Sequence, residues 1–471
     1  MGVVNNTDTQ QISHLHRRYT TNAGTTIREI SRSHIDDSDL HIQLKGNNVL
    51  RIGFLHAGDH DDDPLPAGYE LGDDGNVRIT AAFSLDDNRF NWWGGRCNES
   101  LVHDPESEKS EDALPSEMTY RDAVGNIGLI ECTTETCRKS VGIRSLGCFT
   151  LLAQYTIESP QNTSNYQKIN GLRSEIDGLT SWLGIDAHAM EKSFSDQGIA
   201  KLGIVPNILL SQTMRLTATV TDPPAAPNSS ETTPYSTASI QTAVDQTSSW
   251  EDHLTIHGRI RDLLRIAGWK KFNFLSHKAY SSHESQPAKD GEPSLKWRNV
   301  QIAASEVGKP HPRRRENFLF RYPDVSDDGI DRWLHLAQAY QRGLDPFVSL
   351  LNLSGATIDA MIVQLGNALE AIGYQVLVDN GLSSNGANKK SVRQRIEHLV
   401  ADIGDGVLSF NASNFGEEFA SSFNSAKHAN LEVVAPDVKQ EHFWQGVELV
   451  RKWIALRLGV SKSKLYLHLE R

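Results

Sequence analysis

The chain has 471 residues, 38% hydrophobic and 23% charged, enough to bury two or three cores. A formal net charge of −12 argues against a surface that coats nucleic acid broadly, and it leaves room for a local basic pocket. No run of about 18 apolar residues occurs and the start MGVVNNTDTQQ has no apolar signal core, so no membrane span is expected and the expected compartment is the cytoplasm.

Residues 1–48 read as a partly ordered extension. From 49 to 326 the chain reads as β-rich. Val49 to Leu55, Asn76 to Phe83, Ile127 to Cys132 and Met214 to Val220 are short, alternating or β-branched, and bounded by Gly, Asp, Asn or Pro. This is the pattern of a sandwich or distorted barrel. The acidic stretch Asp59 to Asp63 precedes Pro64-Leu-Pro66 and reads as a solvated loop rather than a cation site. Trp92-Trp93 reads as core filling rather than a stacking platform. Cys97, Cys132, Cys137 and Cys148 lack the paired short spacing of a zinc site and read as free thiols, so no metal and no cofactor is expected.

Asp222 to Ser249 is rich in Pro, Ser and Thr and reads as a long loop, with a strand-like stretch at Ala238 to Val244. From Trp250 the apolar residues return at helical spacing to Ala267, with Ser249 as N-cap and Glu251 and Asp252 in the first turn. Val300 to Ala304 and Phe318 to Tyr322 read as strands, separated by the basic run His311 to Arg315, a solvated cluster. Residues 327–471 read as almost pure helix. A leading pair runs from Asp327 to Leu353, and a helix through Ile358, Leu365 and Ile372 follows, with Gly373 near its end. The next helix is capped by Ser391, the next runs from Phe415 to His428, and the last runs through Phe443 and Ile454 to a stop at Gly459. Helices this short gain their stability by packing, so the fold class is α+β: a β-rich domain followed by a helical bundle.

Two histidine sites stand on adjacent helices of that bundle, and either suits metal-independent RNA cleavage. Arg393 and His398 are five residues apart, which turns them roughly 140° from each other on a helix. Asn424 and His428 are four apart, one turn and one face, with Lys427 adjacent.

The order of a β-rich domain followed by Trp250 to Leu264, Asp331 to Tyr340, Gly366 to Tyr374 and Ser425 to Asn430 resembles ApeA-type bacterial anti-phage proteins, which end in a HEPN domain. The resemblance implies a bundle of four or five helices with an R-x(4–6)-H motif on its third main helix, beside a homodimer interface. It also implies cleavage of host RNA, tRNA among others, once a phage-derived trigger is sensed. The third main helix here is Phe415 to His428, so the family histidine falls on His428 as general base or acid, with Asn424 and Lys427 as phosphate contacts. Arg393 and His398 form the reserve pair, and Glu370 is a carboxylate able to orient a cation. Positions five to seven before His428 are Phe423, Ser422 and Ser421, so the arginine of the motif is missing. A catalytically silent HEPN module, serving as a binding or dimerisation platform or a ligand sensor, is the alternative.

Overall fold

The computed structural model describes residues 42–43, 49–58, 64–84, 93, 96, 114–115, 117–140, 146–184, 207–221, 237–284, 286–287, 293–303, 317–326 and 328–467. The stretch Asp59 to Asp63, Trp92, Cys97, the run His311 to Arg315 and nearly all of 1–48 lie outside these residues.

In chain order the strands begin with β1 (Ile42–Gln43), β2 (Val49–Ala57), β3 (Leu65–Leu71), β4 (Val77–Ser84) and β5 (Met118–Arg121). They continue with β6 (Asn126–Ser140), β7 (Leu146–Glu158), β8 (Ile169–Ile176), β9 (Ile208–Ser211) and β10 (Leu216–Thr221). The last are β11 (Thr237–Ser248), β12 (Phe274–Tyr280), β13 (Gln286–Pro287), β14 (Pro293–Ser294) and β15 (Arg298–Ile302). The helices begin with α1 (Leu179–Trp182), α2 (Trp250–Gly268), α3 (Gly329–Ala339), α4 (Gln341–Ser349) and α5 (Ile358–Asp379). They end with α6 (Ser384–Asn388), α7 (Val392–Ile403), α8 (Phe415–Lys427), α9 (Pro436–Arg457) and α10 (Lys462–Leu467). The class is α+β. The chain groups into two compact units, 1–167 with 283–306 and 168–282 with 307–471, so the boundary expected at 326 falls inside the second unit.

In the first unit, β4, β3, β2, β5, β6 and β7 pair antiparallel in that order. β4 then pairs β7 as well, from Val77 opposite Ala153 to Ser84 opposite Leu146, which closes a barrel and leaves these strands without a free edge. The alternation seen in the sequence fills its interior: Leu65, Ala67 and Tyr69, then Val77, Ile79 and Ala81, then Phe149, Leu151 and Ala153 are all buried. Trp93 is buried among them, its ring 5.0 Å from that of Phe149, which is the core role expected of it. Past the end of β4, β7 takes β15 as its neighbour, with Val300 opposite Ile157. Arg298 on β15 donates to the fully buried Glu284 carboxylate, Nε to Oε2 at 2.7 Å, and the other oxygen accepts the Gln161 N–H at 2.6 Å.

The second unit holds the antiparallel sheet β12-β8-β11-β10-β9, the helix α2 and the bundle. The strand-like stretch expected at Ala238 to Val244 lies within the twelve-residue β11, whose Ala238 and Ile240 are buried, while residues 222–236 of the Pro-rich stretch lie outside the described residues. Met214 does not start a strand. It sits with Arg215 at positive φ in a 3₁₀ turn, and β10 begins at Leu216. Phe318 to Tyr322 is not a strand either. Phe318 and Phe320 are buried, Phe318 stacks on Phe272 at 5.5 Å, and the Leu319 N–H goes to the Ala267 carbonyl instead of to a ladder.

Helix α2 starts in a full capping box, with Ser249 Oγ accepting the Asp252 N–H and the Asp252 carboxylate accepting the Ser249 N–H, each at 3.2 Å. It buries Ile256, Ile260, Leu263 and Leu264, each contributing about 1.5–3 kcal/mol. The same helix also buries His253 and His257, one turn apart. Thr242 Oγ1 lies 2.7 Å from His253 Nδ1 and 3.0 Å from His257 Nε2, while Ser174 Oγ lies 2.7 Å from His257 Nδ1 and 2.8 Å from His277 Nδ1. Each hydroxyl has one proton to give, so with neutral rings it donates to one histidine and accepts from the other, and donation runs one way along the whole chain.

In the bundle, α5 packs against α4, α7, α8 and α9. It is long and apolar enough by composition to cross a membrane, and half of that stretch is buried inside the unit. Gly373 is not near its end, as its position after Ile372 suggested, but six residues before it. A Cβ there would lie 2.5 Å from the Arg395 carbonyl oxygen, so the missing side chain is what lets α5 and α7 touch by backbone. Gly373→Ala is expected to cost about 1–3 kcal/mol by overpacking, read as a lower urea midpoint; an unchanged midpoint would show that the helices can separate freely.

Candidate functional site

The helical periodicity that buries Arg395, Ile396, Leu399 and Ile403 on α7 turns Arg393 and His398 outward. Both are exposed. Arg393 is engaged: its Nε donates to Glu397 Oε1 at 2.7 Å within the helix, and its Nη1 is 3.0 Å from Glu417 Oε2 on α8. The Glu397 hydrogen bond and the nearby Glu417 hold its guanidinium above the usual range. Among the described residues no hydrogen bond or ion pair joins Arg393 to His398 or to His428.

His428 is the C-cap of α8. Its N–H closes the last turn on the Asn424 carbonyl at 2.9 Å, but its own backbone, at φ −124° and ψ 110°, has left the helix. Asn424 and His428 thus stand one turn apart, with His428 at the end of the helix. Asn424 is half-buried, while Lys427 and His428 are exposed, and the Lys427 ammonium lies 5.3 Å from the ring centroid of Phe423.

The three positions at which the resemblance implies an arginine are Ser421, Ser422 and Phe423. Phe423 is buried with its ring against Gly366, where a Cβ would come within 2.1 Å of it. Ser422 is fully buried and its Oγ is 2.8 Å from His442 Nδ1 on α9. Only Ser421 of the three is exposed. A guanidinium at 423 would have to enter an apolar core, at a cost of several kcal/mol.

His442 did not figure among the sequence candidates. It borders a hollow of about 440 Å³ with Glu417, Glu418, Ser421, Val434 and Val438, and burial lowers its pKa against the opposing pull of Glu418 and Glu441. No local spacing marks it, since Ser422 and His442 are twenty residues apart.

Residues 121–334 match the family model described as ApeA N-terminal domain 1. That stretch is ApeA-like. No curated protein and no solved structure matches the chain. An ApeA N-terminal domain fits an anti-phage defence protein. The ApeA-like stretch covers under half of the chain, takes in the sheet of the second unit and the histidine-bearing α2, and stops inside α3 before the helices that carry His398 and His428.

Glu370 on α5 does orient a cation, and that cation belongs to the chain: Arg395 Nη1 donates to its Oε1 at 2.7 Å. Among the described residues no group of three His, Cys, Asp or Glu side chains is placed to hold a metal ion. Cys132 on β6 and Cys148 on β7 are free thiols, and burial pushes the Cys132 thiol up to about 12.

Proposed function

We propose that this is an anti-phage defence effector in which the ApeA-like β-rich part senses infection and residues 327–471 form a HEPN-type ribonuclease module acting on host RNA, tRNA among its targets, in the cytoplasm. The observation that carries this reading is His428, exposed at the end of the third of the four longest bundle helices α5, α7, α8 and α9. RNA brings its own nucleophile. The His428 imidazole takes the 2′-hydroxyl proton or protonates the leaving 5′-oxygen, and the adjacent Lys427 ammonium and the Asn424 amide meet the phosphate charge. The products are a 2′,3′-cyclic phosphate and a 5′-hydroxyl. Leu431 and Val433 are exposed just past His428, and Val438 on the following helix is exposed too, apolar surface that suits a homodimer built at this end.

A specific observation favours a second reading, a silent module that binds or dimerises without cutting. Phe423 is committed to the core, and Arg393 is held by two carboxylates. Induced expression separates the two. The ribonuclease reading expects growth arrest and RNA fragments with cyclic phosphate ends, and His428→Ala is expected to reduce cleavage about 10²-fold or more. Fragments that persist in His428→Ala, in His398→Ala and in the double variant overturn it. Phage protection without any fragments selects the silent module.

A further inference from the structure

On the α5–α7 side of the bundle, α4, α5, α6 and α7 enclose a cleft of about 1030 Å³ that none of Arg393, His398, Asn424, Lys427 and His428 lines. Its charged lining residues are Arg342, Lys390, Arg395 and Glu370, three cations to one carboxylate in a chain whose formal net charge is −12. That carboxylate is already bonded to Arg395. Asp379, which does not line the cleft, accepts the hydroxyl of the lining Tyr340 at 2.6 Å and the amide of the lining Gln375 at 2.8 Å. The cleft is therefore a local basic site on an acidic protein.

Arg395 gives the site its second feature. Its side chain is 8% exposed, and it also donates Nη2 to the Ala387 and Asn388 carbonyls at 3.3 and 3.2 Å, which pins α6 to α7. Among the described residues its Nε has no hydrogen-bond partner. A buried guanidinium N–H left unmatched is a cost to the fold, so this cation is held at the cleft without being saturated. Beside it, Ser391 and Val392 place the N-terminal turn of the twelve-residue α7 on the same lining; a capping box takes up the Ser391 and Gln394 N–H groups, and the Val392 and Arg393 N–H groups with the helix dipole favour an anion. Tyr374 also lines the cleft, with the Arg395 guanidinium 5.5 Å from its ring centroid, and Asn367, Asn385 and Asn388 add amide groups around it.

We propose that this cleft binds a nucleoside phosphate, with Arg342, Lys390 and the first turn of α7 taking the phosphate and the Tyr374 ring taking the base. The volume is at the top of the range of about 300–1,000 Å³ for small-ligand sites, more than a bare anion fills. An aromatic ring among cations is the surface on which a base stacks, and amides read the base edge. The ligand is a free nucleotide or the phosphorylated end of an RNA strand, which present the same chemistry. The proposal goes beyond cleavage at His428 and shares no residue with that site, so either can fail alone.

Calorimetric titration of the full chain with inorganic phosphate, AMP, ATP and a 5′-phosphorylated RNA tetranucleotide tests it. Saturable binding of a nucleotide or of the tetranucleotide, tighter than that of inorganic phosphate, is the expected result. Binding by the tetranucleotide alone assigns the source to RNA; binding by AMP or ATP assigns it to the free pool. Because Arg395 holds α6 in place, the variants are made at the more accessible cations: Arg342→Glu with Lys390→Glu is expected to weaken binding at least 10-fold, and Lys462→Glu, on the exposed surface of α10, to leave it within twofold. Tyr374→Leu is expected to weaken nucleotide binding and not phosphate binding. No saturable binding, or an affinity unchanged in the Arg342→Glu, Lys390→Glu double variant, overturns the proposal.

Discussion

Acidification from pH 7 to pH 4 is expected to strip the second unit of several kcal/mol of stability, with the loss concentrated between about pH 6.5 and pH 4. Burial lowers the pKa of His253 and of His277 to about 4, and puts His257 well below its ordinary value. Arg261 adds to the effect at His277, while Asp252 works against it at His253. In the unfolded chain all three titrate near 6.5, so below that pH the unfolded state takes up protons that the folded state refuses, and folding weakens as pH falls. Below about 4 the folded rings of His253 and His277 titrate as well, and their contribution to the slope ends. The shifts at His253 and His277 each correspond to on the order of 3 kcal/mol, and His257 adds in the same direction. Asp262, whose burial raises its pKa, works the other way and offsets part of the loss. Urea midpoints measured at pH 7, 6, 5 and 4 check this. A variant with His253→Gln and His277→Gln is expected to show a flatter slope over that window, and parallel slopes for the two proteins would refute the assignment.

Arg298→Ala is expected to destabilise the first unit by about 3–5 kcal/mol, the cost of leaving the Glu284 carboxylate buried and without its cation. Glu284 has no exposed surface, and its other oxygen is bound to the Gln161 N–H, so the side chain cannot swing out to water without breaking that bond too. Replacing both partners, Arg298→Met with Glu284→Leu, removes the uncompensated charge and is expected to recover most of the loss, because a buried ion pair gains little over apolar residues of similar size. Chemical denaturation of the single and double variants measures both effects. A single variant within about 1 kcal/mol of the parent would mean that water reaches Glu284.

These two effects rest on residues that the sequence presented without distinction. His253 and His257 stand four residues apart, a spacing that puts them on one helical face without saying what covers it. Only the approach of Ser174 on β8 and Thr242 on β11 makes them a buried network. Glu284 and Arg298 are fourteen residues apart with no motif between them. The site residues divide in the same way. Arg393 and His398 match a pattern of letters, while the structure gives Arg393 to Glu397 and Glu417 and gives the buried cation, Arg395, to Glu370.

The sequence alone determined the local elements. Period-two alternation marked β2, β4 and part of β6, period 3.6 marked α2 and the bundle helices, and the caps Ser249 and Ser391 and the stop at Gly459 lie where local hydrogen bonding and backbone freedom require them. The tertiary structure decided which elements meet. Alternation says which side of a strand is apolar and not which strand lies beside it, so closure of the barrel by β4 on β7, some seventy residues away, could not be read from either strand. Helical period says that a face is buried and not against what. The absence of an arginine at 421–423 is plain in the sequence, and it is packing against Gly366 that shows Phe423 to be buried core rather than surface.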